Sequence, residues 1–292
     1  YKIFTFIDDY CYNIEMTKQI LIIKQDGDKE MFDASKLRNS LEHSGAGKDE
    51  TEKVIKHIEK ELKDGMTTSE IYRHAFKILK QFEKPIAARY SMKRALLALG
   101  PSGYPFEDFI AEIFRAKGYD VKVGEIIQGA CVKHEVDIIA QKDGKKIGAE
   151  IKFHNELGNR SDIKVALYVH SRFEDIRKIK RENDSVLIDE DWIITNTKFT
   201  SDAIQYGNCV GMKMVSWNYP KQGNLRNLID ETGVHPVTAL TVLSQEDKTR
   251  LIKNKIVLCR NIKKNREILI SIGFDEKKIQ NIMEESQSLC GL

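Results

Sequence analysis

The stretch His134–His154 leaves this chain the least freedom. Asp143-Gly144 separates two alternating apolar runs, and such a dipeptide predicts a two-residue hairpin turn. With those residues as the turn, Val136 lies opposite Ile151, Ile138 opposite Ala149 and Ala140 opposite Ile147, which makes one coherent core face. The other face carries Asp137 opposite Glu150, with Lys152 two residues further along the same side. Two facing carboxylates about 5 Å apart at Cβ repel each other and destabilise a sheet. A cation between them removes the conflict, and hard carboxylate oxygens suit Mg²⁺ or Mn²⁺. Alternatively Lys152 pairs with Glu135, its partner in the same register, and Asp137 is solvated.

The flanks supply more elements. Gly100-Pro101-Ser102-Gly103 has linker chemistry, and Pro105 suits the first turn of a helix. Phe106, Phe109, Ile110, Ile113 and Phe114 follow the spacing of a buried helical stripe that ends at Gly118. Residues 119–123, 191–195 and 212–217 predict strands, the last two around a short helix, giving an α/β sheet with flanking helices. Ser161-Asp162 caps a helix running toward Arg181; its Arg172, Arg177, Lys178, Lys180 and Arg181 suit a phosphate backbone, diluted by Glu174, Asp175 and Glu182.

Asp137 followed by Glu150-Ile151-Lys152, a preceding helix opened by Tyr104-Pro105-Phe106-Glu107-Asp108-Phe109, and the later run Trp192-Ile193-Ile194-Thr195-Asn196-Thr197-Lys198-Phe199-Thr200-Ser201-Asp202-Ala203 together resemble the Mrr-like branch of the PD-(D/E)XK nucleases. The resemblance covers about residues 100–218. It implies Asp137, Glu150 and the Ile151 carbonyl as metal ligands, and Lys152 as the group that orients or deprotonates water or stabilises developing charge. Glu107 is implied as an additional metal ligand of the catalytic set, unless it is only a first-turn carboxylate favoured by the helix dipole. His154 is either an accessory residue or a plain strand end.

Upstream, Ile20–Gln25 and Lys29–Phe32 flank Asp26-Gly27 and predict a short hairpin. Helices follow over 34–44, 49–63, from a cap at Thr67 or Thr68, and over 86–99. Ile23-Lys24-Gln25-Asp26-Gly27, Phe32-Asp33 leading to Lys36-Leu37, Thr67-Thr68-Ser69-Glu70-Ile71 and Ala88-Arg89-Tyr90 resemble an ATP-cone, an allosteric nucleotide-binding domain. That resemblance places Lys24 and Lys36 at the phosphates, Thr68 near the base and Arg94 nearby, with ATP or dATP as ligand. Gln25 stands where the family usually has Arg. Ser44-Gly45-Ala46-Gly47-Lys48 is not a P-loop, because Glu42 occupies the position of its first glycine.

Downstream of Pro220, short apolar helical patterns surround a run from Lys248 to Arg266 with eight Lys or Arg and no acid. This reads either as a nucleic-acid face or as the solvated side of packing helices. The net charge of +3 on 292 residues says little by itself, and five scattered cysteines without CxxC spacing fit a reduced cytoplasm. Met16 is the first methionine, so residues 1–16 read as an upstream extension, and Ile3–Ile7 is too short to span a bilayer.

The expected organisation is an α/β multidomain chain: extension 1–16, helical bundle with β-hairpin 17–99, restriction-endonuclease-like sheet 100–218 and small basic helical domain 219–292. The expected function is metal-dependent hydrolysis of double-stranded DNA under control of an adenine nucleotide, without a membrane and compatibly with a homo-oligomer. The alternative is a nucleotide-responsive DNA-binding regulator that no longer cuts, and a third reading makes the first bundle a plain oligomerisation module.

Overall fold

The computed structural model describes residues 20–179 and 188–290. The extension expected over 1–16 and the basic residues Lys180 and Arg181 lie outside the described residues.

Strands β1 (Leu21–Ile23) and β2 (Lys29–Met31) pair antiparallel around Asp26-Gly27. Asp33 caps α1 (Ala34–His43) by accepting from the Ser35 N–H at 2.8 Å. After α2 (Lys48–Glu61), β3 (Met66–Thr67) adds parallel to β1; two residues carry no periodicity, so this strand is invisible to pattern reading. Thr67 and Glu70 form a capping box for α3 (Thr68–Phe82). The one helix expected over 86–99 is two, α4 (Lys84–Tyr90) and α5 (Met92–Leu97). The Ser91 hydroxyl between them donates to the Ala88 carbonyl at 2.9 Å, a local bond that competes with the helix ladder.

The central layer contains α6 (Tyr104–Ala116), β4 (Asp120–Gln128), β5 (Lys133–Lys142), β6 (Lys145–Lys152), β7 (Arg160–Ser161), α7 (Ile163–Arg177), β8 (Glu190–Thr195), β9 (Lys198–Phe199), α8 (Ser201–Cys209) and β10 (Lys213–Val215). The five-stranded order is β10-β8-β6-β5-β4, antiparallel from β4 to β6 and parallel from β6 to β10. Helix α6 covers one face, and α7 and α8 the other. Phe106 and Phe109 of α6 are fully buried, each side chain contributing about 1.5–3 kcal/mol by removal from water.

Asp143 and Gly144 both have positive φ, 50° and 81°, as the tight hairpin requires. The expected register holds from Lys142–Lys145 to Ile138–Ala149, where the β5–β6 ladder stops. Asp137 and Glu150 are therefore not a ladder pair. Instead the Asp137 carboxylate accepts from the Ile151 N–H at 2.7 Å, so a side chain takes the place of the next backbone contact. The core face expected for Val136, Ile138 and Ala140 is also broken. Ile138 and Ala140 face α6, whereas Val136 packs with Val169 and Phe173 on the α7 side. Gly124, at φ 66° on the neighbouring strand, stands opposite this reversal. A change of pleat at Gly124 and Asp137 thus turns the outer half of the β4–β5 ribbon over.

The last segment contributes α9 (Leu225–Thr232), α10 (Gln245–Lys253), α11 (Arg266–Ser271) and α12 (Glu276–Cys290). Its apolar residues share one cluster with α5 and α6. Thr238 donates to the Ala95 carbonyl at 2.6 Å, and Lys80 to that of Thr241 at 2.8 Å, so this segment is fastened to the first bundle as well. In the basic run Arg250, Arg260 and Arg266 pair with Glu246, Glu112 and Glu276, leaving Lys253, Lys255, Lys263 and Lys264 exposed. Among the described residues no helix is long and apolar enough to cross a membrane.

Candidate functional site

Asp137 stands at the pleat reversal, and Glu150 and Lys152 follow on β6, the last strand before the chain leaves the sheet. Glu150 is almost fully buried. Its carboxylate accepts from the Tyr168 hydroxyl at 2.6 Å and is also paired with Arg172. Tyr168 and Arg172 are four residues apart on α7, which puts both on the helix face above β6. Lys152 lies 3.9 Å from Glu150 and donates to the Tyr168 hydroxyl at 3.2 Å, so it does not pair with Glu135. Glu150 and Lys152 therefore share one side of the sheet and one hydroxyl.

Burial and then the Glu150 charge push Asp137 up to about 6, against the Ile151 N–H that favours its ionised form. Burial and then Asp137 push Glu107, at the start of α6, up to about 7, with smaller effects from Asp108, Glu135 and Glu150. The Glu150 charge thus reaches Asp137, and the charges of Asp137 and Glu150 reach Glu107. His154 is elsewhere: its backbone N–H and C=O are held by the Asn196 side chain at 2.9 and 2.8 Å, and its ring meets Ser161 at 2.9 Å. It closes the end of β6.

These residues fit a hard divalent cation in chemistry. The available donors are oxygens, and two of the acids are held toward their neutral forms by burial and then by like charge. Magnesium sites use one or two carboxylates plus substrate phosphates rather than a closed protein cage. The three acids are not such a cage. Among the described residues the three-residue donor group within 4.8 Å is His57, Glu61 and His74 on the first bundle. Beside the acids an open groove of about 570 Å³ is lined by His134, Lys164, Leu167, Tyr168, Ser171 and Arg172. The α7 arginines expected to meet phosphate are engaged by acids, Arg172 by Glu150 and Arg177 by Glu174 and Asp191.

A second cavity, of about 370 Å³, opens between the first bundle and the central sheet. Lys24, Thr68 and Arg94 line it, and Lys36 does not. Lys36 reaches Glu30 at 3.0 Å, the same acid that Lys24 meets at 2.9 Å. The rings of Tyr72 and Tyr90 stack at 5.2 Å in its wall, with the Arg94 guanidinium 4.1 Å over Tyr72. Pattern reading of the bundle misses Lys93, Lys198, Trp217 and Arg226, which also line it. Of these, Lys198 carries a sequence signal, since it lies within the Thr-rich run Trp192–Ala203. Tyr168 was equally detectable, by its helical spacing to Arg172.

The ATP cone domain family model matches residues 20–97, and an AF1548-like, C-terminal family model matches residues 235–290. An uncharacterized protein of Archaeoglobus fulgidus is 32% identical over 183 residues, 62% of this chain and 100% of that protein. The crystal structure of AF1548, a protein of unknown function, aligns with 31% identity and a TM-score of 0.53, covering 65% of this chain and 99% of that one. MspJI restriction endonuclease in complex with a 27-mer oligonucleotide aligns over 69% of this chain and 47% of its own, at 12% identity and a TM-score of 0.25, too distant to bear on fold or activity. The molecule is thus an ATP cone joined to a mixed α/β body. The chain belongs to the family of the uncharacterized Archaeoglobus fulgidus protein, whose full length it spans.

Proposed function

We propose that the chain is a metal-dependent DNA endonuclease of the restriction-endonuclease type, with its hydrolytic residues in the body over 100–218 and ATP or dATP as regulator at the cone. The observation that carries this reading is the meeting of Glu150 and Lys152 at Tyr168, with Glu150 adding to burial in raising the proton affinity of Asp137, and Asp137 likewise that of Glu107. Asp137, Glu150 and the Ile151 carbonyl would hold Mg²⁺ or Mn²⁺, with Glu107 as a further acid. A bound cation supplies Lewis acidity and lowers the pKa of water. Lys152 orients the attacking water or stabilises the negative charge that develops on the phosphate. Tyr168 fixes the Glu150 carboxylate and the Lys152 ammonium relative to each other. The groove along α7, with Lys164 exposed at its rim, admits a phosphodiester strand.

One observation favours the second reading, a DNA-binding regulator that does not cut: Arg172 already neutralises Glu150. Supercoiled plasmid separates the two. An endonuclease nicks or linearises it with Mg²⁺ or Mn²⁺, and Asp137→Ala abolishes cutting while retaining DNA in a gel shift. Wild-type protein that binds plasmid but leaves it intact with either metal, with and without ATP, is the regulator.

A further inference from the structure

The cavity beside the cone has a far wall that the cone does not own. Lys24, Arg89, Lys93 and Arg94 come from within the region matched as ATP cone, whereas Lys198 and Arg226 come from the body and from α9. Against these six cations stand two acids, Asp26 and Glu30. Both are already engaged: Asp26 meets Arg160 at 2.7 Å, and Glu30 meets Lys24 and Lys36. Among the described residues no carboxylate oxygen lies within 4.0 Å of Arg89, Lys93, Arg94, Lys198 or Arg226. Lys93 and Lys198 repel each other across the boundary, and burial followed by that repulsion brings Lys93 down to about 8. Asp230 acts on Arg226 and Arg89 from the adjoining surface without pairing with either. Like charges gathered from two parts of a chain, in excess of the acids around them, specify an anion of several charges.

The shape narrows the anion. The volume, about 370 Å³, falls within the range of small-molecule sites. Tyr72 and Tyr90 are stacked on each other under Arg94, while Trp217 also lines the cavity and carries a ring on which a base can stack, whatever the base. We propose that one nucleoside triphosphate is held jointly by the cone and the body, with Lys198 and Arg226 on its phosphates and Trp217 against it. This deepens, and rests on, the reading that the cone binds nucleotide.

The shared wall leads directly to the hydrolytic residues. The loop after Lys152 supplies Leu157 and Gly158, and a Cβ at Gly158 would come within 3.1 Å of the Gln25 carbonyl oxygen. Lys198 lies three residues after Thr195, the parallel partner of Lys152. Asn196, between them, clamps both backbone groups of His154. A phosphate that fixes Lys198 and the 157–158 loop therefore fixes the two chain ends flanking Lys152.

The test is calorimetric titration of the full chain with ATP, alongside emission from its two tryptophans. Lys198→Glu, Lys198→Ala and Arg226→Ala are each expected to weaken ATP by about 10- to 100-fold, as loss of a charge-assisted bond does. ATP should shift the emission of the wild type, and Trp217→Phe should remove that shift. Wild-type binding that survives all three charge changes, with emission unmoved, overturns the shared site and leaves nucleotide binding by the cone standing. Absence of ATP binding by the folded wild type overturns both.

Discussion

The acidic edge and the basic cavity are opposite solutions of one electrostatic problem. At the edge, Glu107 and Asp137 are driven toward protonation because burial and neighbouring carboxylates disfavour a further negative charge. In the cavity, Lys93 is driven toward its neutral form because burial and neighbouring cations disfavour a further positive one. Each region is destabilised by its own charge and each would be relieved by a ligand of the opposite sign, a divalent cation at one and a polyphosphate at the other. They differ in closure. The cavity is lined by two parts of the chain, whereas the groove beside Glu150, which Tyr168 and Arg172 line, is the more open of the two.

The largest effect that would sharpen this contrast is on cleavage. Lys152→Ala should lower the rate of metal-dependent plasmid cutting by about 10²- to 10⁴-fold, the usual range for a group assisting proton transfer, while leaving ATP affinity unchanged by calorimetry. Equal loss of both would mean that the regions are not distinct. Next, Arg172→Ala removes the one strong cation from the buried Glu150 carboxylate. Because Arg172 is partly exposed, the loss should be below the full cost of breaking a buried pair, at about 2–3 kcal/mol in urea unfolding without metal. Mg²⁺ should restore more stability to this variant than to the wild type.

Proton linkage gives a smaller effect with a definite sign. Folded Asp137 and Glu107 titrate at about 6 and about 7, above the ordinary 3.8 and 4.5. The folded chain therefore binds more protons in this window, and the stability these acids contribute is present at pH 4 and lost as pH rises through 6 and 7. With both groups partly solvated the loss should be about 1–2 kcal/mol in all. Mg²⁺ should flatten the slope, raising the melting temperature more at pH 8 than at pH 5.5. An identical slope with and without Mg²⁺ would remove the cation from the acidic edge. Smallest of all is Lys36→Ala: outside the cavity, it should change ATP affinity by less than about twofold, as ordinary surface substitutions do, whereas Lys24→Ala should cost about tenfold.

What the sequence discloses about these regions follows how local each feature is. The Asp143-Gly144 turn and the register up to Ile138–Ala149 are readable because a tight turn dictates them within a few residues. The departure at Asp137 is not, since it depends on the pleat of a different strand at Gly124. Thr67 announces α3 through its own capping box, while the break at Ser91 is hidden inside an apolar helical pattern. Lys24 lies in a recognisable cone motif and Arg94 four residues beyond another, yet Arg226 lies 132 positions beyond Arg94, and only the fold brings them to one cavity. Arg172 was visible as a basic residue; its partner was not, because pairing with Glu150 requires α7 to lie across β6.

The contrast of sign is tested most directly by titrating the full-length protein with Mn²⁺ at pH 8 in a calorimeter, wild type against Asp137→Asn. The expected result is a site in the wild type that disappears in Asp137→Asn, with any binding at His57, Glu61 and His74 unchanged between the two. Identical Mn²⁺ isotherms for both proteins, or no binding by the wild type, would contradict a cation site at the acidic edge.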